Sequence, residues 1–231
     1  MILDSPWVAL GLLFLVAFLP SVALALRLRA SERVGREPLL ALAKAFAWGA
    51  IVAALLALLV ESWLLGLYGD AMVLGLSVAS VLVAPLVEEV AKGLGLVLLR
   101  DPDPEPEDGL IYGAVVGLAF AGVENALYIL EAFVFQGGNE AILVAAYRGV
   151  VTVPLHAACS AIVGYGVWRA RRLGKWRVVA GALAVAVLLH GAYNALVEIQ
   201  FAGALLVSVA LAMLAYWRVA KRVRALDAAG P

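Results

Sequence analysis

Two adjacent acids and a lysine, Glu88, Glu89 and Lys92, stand inside an otherwise apolar run from Met72 to Leu99. A charge in hydrocarbon costs at least about 2.5–3.5 kcal/mol on insertion scales, so three together require partners or a water-filled cavity. Other apolar runs carry their own interruptions: Glu124 with Asn125, Arg148, His156, and His190 with Asn194. The pairs Glu88/Lys92, His156/Ser160 and His190/Asn194 are each four residues apart and so share a helix face. Glu89 points about 100° away from Glu88, which separates the roles of the two acids. Neighbouring carboxylates at mid-membrane cannot both ionise cheaply, and a carboxylate in that position suits general-base work on water. His190 and Asn194, two donors on one face, suit a developing oxyanion. The candidate catalytic residues are therefore Glu88, Glu89, Glu124, His156, His190 and Asn194. No serine or cysteine lies beside a base in a recognisable elbow, so water is the expected nucleophile.

The same residue types allow two other chemistries. A glutamate and two histidines could ligate a divalent metal with one position open, as in a zinc protease. Against this, there is no His-Glu-x-x-His pair, and each donor comes from a different apolar run. Carboxylates and histidines at mid-depth also serve proton- or ion-coupled transporters. Against that, neither an inverted repeat nor a matched pair of broken helices is visible.

The elements that must position these groups are membrane spans. Of 231 residues, 65% are hydrophobic and 15% charged, and the mean hydropathy is +1.01. Apolar runs of eighteen or more residues recur along the whole length, which excludes an ordinary soluble domain. The single cysteine, Cys159, excludes an intramolecular disulfide and a cysteine-clustered metal site; it reads as a packing residue. The expected fold is an all-α bundle of seven transmembrane helices forming one polytopic domain over 1–231. The spans are Trp7–Leu26, Leu39–Tyr68, Met72–Leu99, Leu110–Phe135, Ala141–Trp168, Val178–Glu198 and Phe201–Trp217, the catalytic ones lying within 72–198. The proline-alternating stretch Asp101–Gly109 is expected to be non-helical, and residues 225–231 to form a short tail.

Basic residues cluster at 27–36, 169–177 and 218–224, while the loops near 69–71, 136–140 and 199–200 contain neither lysine nor arginine. The positive-inside rule then places the N-terminus outside and the C-terminus in the cytoplasm, with the first span a retained anchor in the cell membrane. Trp7, Trp63, Trp168, Trp176 and Trp217 fall near span ends as interfacial anchors. Counted from the cytoplasmic ends, Glu88, Glu124, His156 and His190 all lie roughly 18–21 Å deep at 1.5 Å per residue. Four helices thus bring an ionisable group to one layer. Pro85 and Pro154 disrupt their helices just before Glu88 and His156, and the small residues Gly113, Gly117, Ala121 and Gly122 permit close helix approach. Lys92 reads either as a counter-charge for Glu88 or as a direct participant, and Arg148 as an outer-leaflet side chain or a partner of Glu140.

Glu88-Glu89-x-x-Lys92, Phe120-x-x-x-Glu124-Asn125, His156 and His190-x-x-x-Asn194 occur in the order found in PrsW-like intramembrane proteases, which the chain resembles across spans three to six. These belong to the wider clan of CAAX-processing and Abi-type glutamic proteases. The resemblance implies an intramembrane endopeptidase in which Glu88 activates water, Glu89 assists, and His190 with Asn194 forms the oxyanion site. Glu124 takes the place of a histidine in the CAAX branch, and His156 completes the site. No metal or other cofactor is expected. The implied partner is a membrane-protein substrate, single-pass and of the anti-sigma-factor type; the bilayer is the other partner, and nucleic acid is not one.

Overall fold

The computed structural model describes residues 6–32, 36–99, 105–199 and 201–228. They form an all-helical bundle with one small hairpin. Helix α1 covers Pro6–Ser31. α2 (Leu39–Ala47) runs into α3 (Ala54–Tyr68) through a π-helical segment, Trp48–Ala53, making one rod. A second π-helical segment, Ala79–Val83, leads into α4 (Ala84–Leu98). Then follow α5 (Pro106–Phe135), α6 (Gly138–Val150), α7 (Thr152–Leu173), α8 (Arg177–Glu198) and α9 (Ala202–Asp227). With α2–α3 and α6–α7 each taken as one rod, the described residues contain seven rods. Six are long and apolar enough to cross a membrane; the seventh is the rod that carries Glu88, Glu89 and Lys92. The protein is a multi-pass membrane protein by this architecture.

Three boundaries differ from the sequence reading, each for a local reason. Met72–Ser77 is a β-hairpin, Met72–Val73 (β1) paired with Leu76–Ser77 (β2), rather than the start of a span. Leu74 and Gly75 form its turn at φ of 55° and 78°, the left-handed pair that two-residue hairpins require. Second, Pro106–Gly109 are helical, although the proline-alternating stretch Asp101–Gly109 is expected not to be. Pro106 sits in the first turn, where its missing N–H costs nothing, and Glu105 and Asp108 form a reciprocal capping box. Third, α9 continues to Asp227, past the expected start of the tail. Arg33, Asp101–Pro104, Ala229–Pro231 and the side chain of Trp7 lie outside the described residues.

Both prolines act where expected. Pro85 lies in the first turn of α4, and the backbone just before it is π-helical. Pro154 cannot donate to the carbonyl of Val150, and the chain breaks at Val151 (φ −112°, ψ −55°) between α6 and α7. The bundle is built on α5 and α7, the most extensively packed pair. Gly113, Gly117 and Gly164 make that possible: a Cβ at any of them would collide with the backbone carbonyl of Ser160, His156 or Gly109. The small-residue face anticipated on span four thus packs directly against the helix that carries His156.

Candidate active site

Glu88 and Glu89 project from α4, Glu124 from α5, His156 from α7, and His190 and Asn194 from α8. The ionisable groups counted to one layer, Glu88, Glu124, His156 and His190, converge. His156 Nδ1 lies 3.8 Å from Glu88 Oε2 and its Nε2 lies 2.9 Å from Glu124 Oε2. The two imidazoles meet edge to face with centroids 4.7 Å apart.

The adjacent acids have different surroundings. Glu89 is fully buried: its carboxylate accepts from Lys92 Nζ at 2.6 Å and from Ser160 Oγ at 3.4 Å, and His190 Nδ1 is 3.1 Å away. Glu88 instead lines a cavity of about 1110 Å³ together with Glu124, His156, Asn194, Phe120 and Arg148. Ile51, Leu55, Leu58 and Leu143 line the same cavity while remaining exposed on the outside of the bundle, so it reaches the lipid-facing surface. The 100° offset read from the sequence is thus realised, one acid facing the cavity and the other the protein interior.

Lys92 lies nearer Glu89, at 2.6 Å, than Glu88, for which it was one candidate counter-charge; its distance to Glu88 Oε2 is 3.4 Å. Its ammonium also contacts His156 Nδ1 at 3.0 Å and stands 4.4 Å above the Phe120 ring. An ammonium can only donate, so Nδ1 accepts and the neutral ring carries its hydrogen on Nε2, toward the cavity. Nε2 therefore faces the Glu124 carboxylate at 2.9 Å, and both atoms are buried in this contact.

His190 and Asn194 do not aim at a common point. His190 turns to Glu89, while Asn194 Nδ2 donates to the carbonyl of Ser80 at 2.8 Å. The π-helical backbone before α4 offers that carbonyl, which spacing along α8 could not reveal. Arg148 is the main group the sequence reading misplaced. Its Nη2 is 2.9 Å from Glu124 Oε1, its Nε donates to Asn125 Oδ1 at 2.9 Å, and its guanidinium stacks 3.8 Å from the Tyr128 ring centroid. Glu124, not Glu140, is its partner. A signal was present: Glu124 lies eleven residues before the end of α5, and Arg148 ten residues after the start of α6, across a tight turn. Cys159 is buried in the apolar core, as expected.

Residues 37–219 match the family model described as "PrsW family intramembrane metalloprotease". Among curated relatives, the chain is similar to Protease PrsW of Clostridioides difficile, 29% identical over 90% of this chain and 87% of the relative. Protease PrsW of Halalkalibacterium halodurans is 31% identical over 51% of this chain and 52% of its own length. Protease PrsW of Bacillus subtilis is 35% identical over 39% of each. No solved structure matches.

The family description implies a metal ion, and one donor set has the right composition. Glu88, His156 and His190, all buried, offer ligand atoms within 4.8 Å of one another. The surrounding charge does not suit it, because the Lys92 ammonium already contacts two of the three residues. A dication bound at about 2 Å from such donors would lie roughly 4 Å from that ammonium, a repulsion on the order of 8 kcal/mol at an effective dielectric of about 20 that cancels the attraction of a neighbouring carboxylate, and two of its three donors would first have to release the ammonium. The residues as arranged do not fit a resident metal. The family match runs over most of the chain, through every helix that contributes to this cluster, and the chain belongs to the PrsW family of intramembrane proteases.

Proposed function

We propose that this protein hydrolyses a peptide bond of a membrane-protein substrate, in or near the bilayer, with Glu88 as general base toward water. The observation that carries this reading is the unequal placement of the acid pair, Glu88 on the cavity wall and Glu89 locked behind it. As water oxygen attacks the scissile carbonyl, the Glu88 carboxylate takes its proton. The carbonyl oxygen becomes an oxyanion, for which Asn194 on the cavity wall has a second Nδ2–H beyond the one it gives to Ser80. When the tetrahedral intermediate collapses, the C–N bond breaks and Glu88 returns its proton to the leaving amine. His190, Ser160 and Lys92 act behind the wall by fixing Glu89.

The substrate in this reading is a single-pass protein of the anti-sigma-factor type. The enzyme sits in the cell membrane with its N-terminus outside, which the distribution of arginine and lysine supports. The test is cleavage of a co-expressed single-pass reporter. Glu88→Gln is expected to lower cleavage at least about 100-fold, with the variant still folded in detergent, and wild-type activity is expected to persist in strong chelator. Full activity in Glu88→Gln would remove the base assignment, and loss of activity in chelator would remove the metal-free one.

A further inference from the structure

We propose that the Lys92 ammonium is the built-in cation of the buried cluster, standing where a metal ion would otherwise be held, and that its removal creates a divalent-cation site. Lys92 is fully buried, and its three N–H bonds face three acceptors, Glu89 Oε1 at 2.6 Å, His156 Nδ1 at 3.0 Å and Glu88 Oε2 at 3.4 Å. The face of Phe120 lies 4.4 Å from the nitrogen, and all three N–H bonds are used within the protein.

The surrounding donors are those of a metal site. Two carboxylates and the His156 imidazole surround one positive charge, a second imidazole, His190, stands behind Glu89, and ligand atoms of Glu88, His156 and His190 lie within 4.8 Å of one another. With Lys92 present, the two acids and the ammonium leave one net negative charge. Without it they leave two, which matches a zinc or cobalt ion. Lys92 is thereby a positioning residue: it holds Glu89, sets the His156 tautomer, and keeps a metal from drawing Glu88 away from the cavity.

The experiment uses the full-length protein, stripped with chelator in detergent and then equilibrated with low-micromolar zinc or cobalt. Lys92→Met keeps the length of the side chain and removes the charge. It is expected to bind about one metal per chain, at least roughly 100-fold tighter than wild type, with a cobalt ligand-field spectrum and a zinc-dependent rise in melting temperature. Combining it with Glu88→Gln or His156→Ala should abolish that binding, and Lys92→Arg, which keeps a cation, should bind no more than wild type.

A folded Lys92→Met protein that binds no metal overturns the inference. So does a wild-type protein holding one metal per chain that Glu88→Gln removes, a measurement that needs no Lys92 variant to fold. Because the readouts are metal content and spectrum, the inference can fail while the protease reading stands, and the reverse.

Discussion

Arg148 shows how a single residue's meaning depends on where its chain neighbours are in space. It supplies the charge opposite Glu124, a hydrogen bond to Asn125 and a stacking surface for Tyr128. Removing one member of a buried pair leaves the other uncompensated, at a cost of about 3–5 kcal/mol. The cavity partly solvates this pair, so Arg148→Met is expected to destabilise by about 3 kcal/mol, the lower end of that range. The double variant Arg148→Met/Glu124→Gln should recover part of the loss, measured by denaturation in detergent; strictly additive effects would show the two groups to be uncoupled. Residue types and their meeting were legible in the sequence, since ionisable groups in hydrocarbon are costly unless they find one another. Direction was less legible. Asn194 and His190 share a face, yet one bonds a neighbouring backbone carbonyl and the other a carboxylate, and such partners come only from packing.

At the scale of the element, α4 carries the most unusual charge pattern and has a correspondingly specific anchor. Its last carbonyls, those of Leu96, Val97 and Leu99, accept from Arg171 Nη2 at 3.2, 2.7 and 3.2 Å. The cation sits at the negative end of the helix dipole and satisfies groups the helix cannot satisfy itself. Arg171→Ala is expected to lower stability by about 1.5–2 kcal/mol, with Arg171→Lys recovering part of it; an unchanged melting temperature would make the contact incidental. The spans themselves were readable because hydrophobic runs of twenty residues have few alternatives. What was not readable is how the chain departs from α-helix inside them. Trp48–Ala53 and Ala79–Val83 are π-helical, and the first carries Trp48, whose Nε1 donates to the carbonyl of Ala91 in α4 at 3.1 Å. Gly95 leaves room for that indole, so the irregular turn and the missing side chain fit each other across two helices.

At the scale of the whole molecule, burial is unevenly shared. α5 and α7 contribute long buried stretches, whereas Ala57 is the only buried residue of α3. The glycine contacts between α5 and α7 leave no gap through which either backbone could slide. This pairing makes the bundle mechanically asymmetric, a stiff keel with a compliant flank. Amides at 113–121 and 157–164 should exchange with deuterium slowest in detergent, and those of α3 should exchange faster by orders of magnitude; equal protection of both would contradict the asymmetry. His156 is fastened to the keel, while Leu55, Leu58 and Glu61 bring the flank to the wall of the same cavity. A chain pressing into that cavity from the lipid would therefore displace the compliant wall and leave the histidine where it is.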